Sequence, residues 1–397
     1  MVWTVLVLEE RMKKKVALHN LGCKVNSYEL EAMQQLLEQA GYEIVPFEPG
    51  ADVYVINTCT VTNIADRKSR QMLHKAKKMN PDAVVVATGC YVQTDEGKLE
   101  KDEAVDLVLG NNQKKNIVEV LADFEKEHQR QAHIIKINQT KEYEELEISR
   151  TAEHVRAYIK VQDGCNQFCT YCIIPYARGR VRSREKENIL NEVHKLAKAG
   201  YKEVVLTGIH LSSYGVDFPE DKKETLLSLI QAVNEVEGIQ RIRLGSLEPG
   251  IVTEEFAKEL SSMSKVCPHF HLSLQSGCDT TLERMNRRYR SAEYKARCEL
   301  LRKYFGNPAL TTDVIVGFPM ETEEDFQASY DFVKDIHFYE THIFKYSRRH
   351  GTKAAAMSGQ LTEAEKAVRS DKMLELHQKR AAEYETSLLG KTLEVLL

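Results

Sequence analysis

Three apolar runs in the first third of the chain each finish on a cysteine: "ALHNLGC" at Cys23, "VYVINTC" at Cys59 and "VVVATGC" at Cys90. Helical patterns lie between and beyond them, "NSYELEAMQQLLEQAG" closing on Gly41 and "DRKSRQMLHKAKKM" before "DAVVVATG"; a further run, "LVLGNN", precedes "KKNIVEVLADFEKE". Apolar runs alternating with amphipathic helices imply βαβ units and a parallel sheet. A parallel sheet lines up the carboxyl ends of its strands along one edge, where ligands bind. Three cysteines at one topological position can therefore converge on a point. A free cysteine is commonly a buried packing residue, but that reading weakens when three share the same place.

A second alternating series follows. Candidate strands are "RAYIKV", "EVVLTG", "RIRLG", "HFHLSL", "TTDVIVGF" and "THIFKY", separated by helical segments such as "ENILNEVHKLAKAG" and "EDFQASYDFVKDI". Six βα repeats fall short of an eightfold barrel, so an open, partial barrel is expected. The fold class is α/β. A parallel α/β sandwich domain occupies 13–130, a linker or edge hairpin 131–153 and the partial (βα)6 barrel 154–360. A long amphipathic helix and linker fill 361–390, and "KTLEVLL" (391–397) reads as the first strand of a β domain that the chain does not contain. "MVWTVLVLEER", which includes Trp3, reads as an upstream extension.

The 397 residues and 42% apolar content suit a soluble multidomain protein. No apolar run reaches the roughly 20 residues of a membrane span, and no secretory signal is recognisable. Nine cysteines in such a chain imply a reducing, cytoplasmic setting, where clustered cysteines serve as metal ligands or catalytic groups more often than as disulfides. A net charge of −4 leaves any polyanion contact to local basic patches.

"GCNQFCTYC" carries Cys165, Cys169 and Cys172 on the loop after the first strand of the second series. Structural zinc takes four ligands, and the next cysteine is Cys267, with His154 and His194 outside the loop. Zinc stays possible. An iron–sulfur cube on three thiolates, its fourth iron open to a small molecule, is the better reading. The dispersed Cys23, Cys59 and Cys90 also number three, which implies a second cube of the same kind. Cys267, Cys278 and Cys298 read as packing residues. His269 and His271 share a strand face as a possible metal pair, without a carboxylate at motif spacing.

The spacing C-x3-C-x2-C, with Tyr171 before the last cysteine, resembles the radical S-adenosylmethionine enzymes. There the open iron chelates the amino and carboxylate groups of S-adenosylmethionine, and one electron from the cube yields a 5′-deoxyadenosyl radical. By that resemblance Thr207 and Gly208 in "LTGIHL" hold the methionine amino group. Ser246, Glu248, Gln275 and Asp313, with the Gly317 backbone, are candidates for carboxylate, ribose and adenine contacts. The N-terminal three-cysteine domain, the radical barrel and the start of a small β domain together resemble the methylthiotransferases, as do "LGCKVNSYE", "VINTCTVTNIADRKSRQ" and "GCNQFCTYCIIPYARGRVRSR". The resemblance implies two 4Fe-4S clusters, two uses of S-adenosylmethionine, replacement of C–H by C–S–CH₃, an electron donor such as flavodoxin or ferredoxin, and a truncated TRAM-like end.

Basic segments favour tRNA, at the anticodon loop, as substrate. "ARGRVRSR" carries Arg178, Arg180, Arg182 and Arg184; "ERMNRRYR" carries Arg284, Arg287, Arg288 and Arg290; "FKYSRRHGTK" carries Lys345, Arg348 and Arg349. Arginines interleaved with aromatic residues suit phosphate neutralisation and base stacking. The wording is most similar to the branch acting on N6-threonylcarbamoyladenosine; the isopentenyladenosine branch tends to have Gln-Met where Lys24-Val25 stand. A threonylcarbamoyl group carries a carboxylate, so a basic side chain in its pocket is physically reasonable, though the sequence singles none out. The alternatives are action on isopentenyladenosine, action on a ribosomal-protein aspartate, and a non-catalytic, zinc-stabilised RNA-binding module.

Overall fold

A computed structural model describes residues 13–99, 101–151, 156–222 and 224–396. The upstream extension with Trp3, and the last residue of "KTLEVLL", lie outside the described residues.

The first domain is a six-stranded sheet, ordered β2-β1-β3-β4-β5-β6, in which every neighbouring pair is parallel. Its strands are β1 (Lys15–Asn20), β2 (Glu43–Val45), β3 (Val53–Thr58), β4 (Val84–Gly89), β5 (Leu107–Leu109) and β6 (Gln131–His133). β6 falls within the stretch read as a linker or edge hairpin; it is a parallel edge strand beside β5. Register fixes the cysteines. Asn20 pairs with Asn57 and Thr58 with Gly89, so Cys59 and Cys90 immediately follow paired residues and Cys23 follows three places beyond one. Gly89 makes this turn possible: its φ is +99°, and a Cβ would lie 2.5 Å from Asn57 Oδ1 and the Thr58 carbonyl oxygen.

Helix α1 (Lys24–Gln39) is buried on two sides. Met33 and Leu37 pack on Val16, Val53 and Val55 of the sheet, whereas Tyr28 and Ala32 enter the apolar cluster of the second domain with Ile159, Val161 and Leu206. Apolar residues recurring at helical spacing on two faces make α1 the shared wall of both domains.

The second domain contains β7 (Ala157–Asp163), β9 (Glu203–Gly208), β10 (Arg241–Leu244), β11 (His269–His271), β12 (Ala309–Val316) and β13 (Glu340–Lys345), with β8 (Arg182–Ser183) antiparallel on the β7 edge. β7, β9 and β10 form one parallel set and β11, β12 and β13 another. Parallel bridges Ile242↔Val266 and Leu247↔Leu272 join the two sets. The result is the open six-stranded barrel expected from the repeats. Helix Glu363–Thr386 closes its β13 side through Met373 and Leu376. Residues 391–396 form no strand, so the strand read into "KTLEVLL" is not seen among the described residues; an isolated strand has no ladder to satisfy its backbone.

Candidate functional site

Cys23, Cys59 and Cys90 are neighbours at the carboxyl edge of the first sheet, close enough to feel one another's charge. Cys23 stands at the N-cap of α1, its thiol accepting no capping hydrogen bond. A Cβ on Gly22 would sit 3.2 Å from Cys59 Cβ. Cys90 opens helix α3 (Cys90–Thr94) at the end of β4. Burial, reinforced by the charges of Cys90 and Cys23, pushes the Cys59 thiol up to about 12. Burial likewise raises Cys23 despite the opposing Arg178 guanidinium.

The second trio lies on the loop after β7. Gly164, at φ +73°, lets the loop pass against the Arg180 carbonyl, where any Cβ would collide. Cys165 N–H donates to the Gly179 carbonyl at 3.0 Å and Cys172 N–H to the Cys169 carbonyl at 3.0 Å, which folds the loop back on itself. Burial pushes Cys165 up to about 11 and Cys172 up to about 12, each further raised by Cys169.

None of the nine cysteines is in a disulfide. Among the described residues the ligand trio drawn within 4.8 Å is His271, Asp313 and His342 rather than either cysteine set. Between the domains lies a cleft of about 610 Å³, lined by Cys23 and Lys24 on one side and by Thr207, Gly208, Gly245, Ser246, Thr311 and Asp313 on the other.

Comparison with known proteins decides the family. Residues 15–110 match the "Uncharacterized protein family UPF0004" and residues 159–333 the radical SAM superfamily. The chain is 43% identical to a Bacillus subtilis protein named threonylcarbamoyladenosine tRNA methylthiotransferase MtaB, over 96% of this chain and 84% of that one. A protein of the same name from Aquifex aeolicus is 44% identical over 96% and 92%. The chain belongs to the radical S-adenosylmethionine methylthiotransferase family. A Thermoanaerobacter protein named tRNA-2-methylthio-N(6)-dimethylallyladenosine synthase is 36% identical over 98% of this chain and 84% of its own. Among solved structures, the methyltransferase TsrM of Kitasatospora setae shares the fold, with a TM-score of 0.62, 17% identity and coverage of 84% and 75%.

As a methylthiotransferase the chain works with two [4Fe–4S] clusters and S-adenosylmethionine, and its residues fit them. Each trio would leave one corner of a cube without a protein ligand. Raised thiols ionise only against a strong local positive charge, which metal supplies. The surroundings of Cys90 hold more buried cations than carboxylates. Lys114, Lys160, Arg178 and Arg182 are buried there, and among the described residues the carboxylates paired with them are two, Glu29 and Asp163. A cube held by three thiolates would be negative and would offset that excess.

The basic segments need correction. Arg178, Arg182 and Arg184 are almost wholly buried and are not a phosphate-facing stripe. Arg178 Nε donates to Cys90 Sγ at 3.1 Å and Nη2 to Asn26 Oδ1 at 2.6 Å, with Nη1 on Glu29. Arg182 donates to the Arg178 carbonyl at 2.9 Å, and Arg184 pairs with Glu192. Arg287 is likewise inside: Nη1 lies 3.3 Å from Cys169 Sγ, and Nη2 pairs with Glu248 at 2.9 Å. Arg349 is buried against Thr60, Asn63 and Asp66, clasping helix α2 (Asn63–Met79) to the barrel. Arg180, Arg288 and Arg348 stay exposed; Arg180 stacks over Phe168 at 4.5 Å, beside the half-exposed Tyr176.

Of the residues assigned to S-adenosylmethionine, the cleft brings together Thr207, Gly208, Ser246 and Asp313. Glu248 is held by Arg287 and lies 3.5 Å from His210, a histidine the sequence did not single out. Tyr171 is packed beside Cys169, Cys172 and Arg287, where burial drives its hydroxyl well up. Gln275 takes a left-handed backbone, φ +70°, at the β12 edge. The Gly317 N–H is engaged by Glu321 Oε1 at 2.9 Å, which leaves that donor spoken for. His271 finds its carboxylate across the strands, Asp313 at 3.3 Å, and stacks on His342 rather than pairing with His269. The buried partners Asn26, Glu29, Asn111 and Lys160 were missed; Asn26 and Glu29 sit one helical turn apart in "KVNSYE", the one local signal for them.

Proposed function

We propose that this methylthiotransferase converts N6-threonylcarbamoyladenosine beside the anticodon of tRNA into its 2-methylthio derivative. The observation that carries the reading is one cleft walled by the cysteine-bearing edge of the N-terminal domain and by strand ends of the barrel. Cys23, on the N-terminal edge, lines it directly, and Gly208 at its barrel side is in register with Gln162, just before the Cys165 loop.

Cys165, Cys169 and Cys172 would hold one cluster and Cys23, Cys59 and Cys90 the other. When bound, they supply the electron that splits S-adenosylmethionine and the sulfur that is inserted, chemistry that no side chain offers. The protein's own part is placement. Strand ends of the barrel present Thr207, Ser246 and Asp313 to S-adenosylmethionine. Arg287 sets Glu248 and lies on Cys169; Arg178 lies on Cys90, so each cysteine set has one guanidinium against a sulfur. Buried guanidiniums stabilise thiolate charge and keep water from it. Arg180, Arg288 and Arg348 meet phosphates, with Phe168 and Tyr176 available for stacking. A small electron-transfer protein such as flavodoxin or ferredoxin supplies the electron, in the cytoplasm. No helix among the described residues is long and apolar enough to cross a membrane.

Mass spectrometry of tRNA nucleosides from cells with and without the gene tests the reading. Loss of the gene should abolish 2-methylthio-N6-threonylcarbamoyladenosine and accumulate its unthiolated precursor. Loss of the isopentenyladenosine derivative instead, with the threonylcarbamoyl product intact, would overturn the base assignment.

A further inference from the structure

Among the described residues that line the cleft, Lys24 is the one lysine or arginine, and the arginines near it are engaged elsewhere. Arg243 Nε donates to Glu203 Oε1 at 2.7 Å, and Arg156 lies 3.6 Å from the same carboxylate. His271 faces Asp313 at 3.3 Å and stacks on the His342 ring, the centroids 5.8 Å apart. His269 stays neutral, since burial, with Arg243 and Lys24 beside it, drops it to about 4. Lys24 lines the cleft, and among the described residues its ammonium has no carboxylate within ion-pair distance. On the opposite wall Asp313 and Glu340 would repel an anion. An anionic substituent is therefore directed to the Lys24 side.

The covalent geometry of adenine fixes where such a substituent lies. C2, the carbon that receives sulfur, and C6, which bears N6, both flank N1. A substituent on N6 thus lies along the same ring edge as the reacting carbon. The sulfur donor rests on the Cys23, Cys59 and Cys90 set, and Lys24 is the residue next to Cys23, so the two neighbours in the chain face two neighbours on the base. Resting on the base assignment above, we infer that Lys24 is the specificity residue that binds the carboxylate of the threonylcarbamoyl group through a charge-assisted hydrogen bond.

The test uses the reconstituted enzyme and three synthetic anticodon stem–loops: one with N6-threonylcarbamoyladenosine, one with its carboxylate converted to a carboxamide, and one with isopentenyladenosine. The unaltered enzyme should prefer the free acid to the carboxamide by about 10- to 100-fold in kcat/KM, the range of a hydrogen bond to a charged group. Lys24→Gln should lower kcat/KM on the free acid by that factor more than on the carboxamide, and Lys24→Arg, which keeps the charge, should restore most of the preference. Iron content equal to that of the unaltered enzyme verifies that the variants are loaded. An equal loss on both substrates, or no discrimination by the unaltered enzyme, would overturn this inference alone. Thiolation of the isopentenyladenosine stem–loop with none on the free acid would overturn the base assignment and the inference together.

Discussion

Arg178 has partners that no reading of its neighbours in sequence would find. Its guanidinium joins Cys90 and Asn26 to Glu29, a residue 149 positions away in the chain. In "ARGRVRSR" four evenly spaced arginines look like a solvated basic stripe, because a linear pattern shows charge but not the distant carboxylates that neutralise it. Asp163, Glu29 and Glu192 are those carboxylates, and they turn three of the four side chains inward. The placement of the six cysteines, at strand ends and on one loop, is by contrast legible, since strand-end position and C-x3-C-x2-C spacing are local properties. Replacing Arg178 by Gln should leave Glu29 short of a partner and cost about 3–5 kcal/mol, as for other broken buried pairs. It should also release the N-terminal cluster selectively. Iron analysis after anaerobic reconstitution should then give about 4 iron per chain in place of about 8, with the electron paramagnetic resonance signal of the remaining cluster unchanged.

At the scale of elements, long periodic segments were the readable ones. α1, α2, β3, β4 and β12 each span six residues or more, enough for apolar periodicity to stand out. β2 and β6 have three residues each, and they exist because a neighbouring strand offers unpaired backbone groups, which is a tertiary cause. The cysteine loop belongs between these cases: its chemistry was plain, but its path depends on glycines. Gly164 is the sharper of them. A methyl group there meets the Arg180 carbonyl oxygen, a backbone atom that cannot swing aside, and the φ of +73° is strained for any other residue. Gly164→Ala should therefore displace Cys165 and destabilise the barrel by roughly 2–4 kcal/mol, the strain adding about 1 kcal/mol to an overpacking cost of about 1–3. The check is thermal melting together with iron content. The expected result is loss of the barrel cluster while the N-terminal one, held by other elements, remains.

At the scale of the whole molecule, the two domains are one cooperative body. Tyr28 of α1 donates to Glu192 Oε1 at 3.0 Å and packs in the barrel core, and Glu29 pairs with Lys160 of β7 at 2.7 Å. Burial alone would push the Glu29 carboxyl up; Arg178, Lys114 and Lys160 override it and hold it well below the carboxylate range. Asp163 is held down in the same way by Lys160, Arg178 and Arg182. Carboxyls depressed in the folded state contribute stability above their unfolded value of about 4, and that contribution fades as pH falls toward the folded value. The interface should accordingly loosen in acid. Unfolding followed by circular dichroism should show one transition at pH 7 for both domains, with its midpoint falling as pH is lowered from about 5 to about 3. Glu29→Gln should cost about 3–5 kcal/mol at pH 7, yet less at pH 3, because the unaltered protein has by then lost part of the same pairing. A gap between the two proteins that stayed constant across this range would mean that the interface is held by apolar packing of α1 and not by its buried charges.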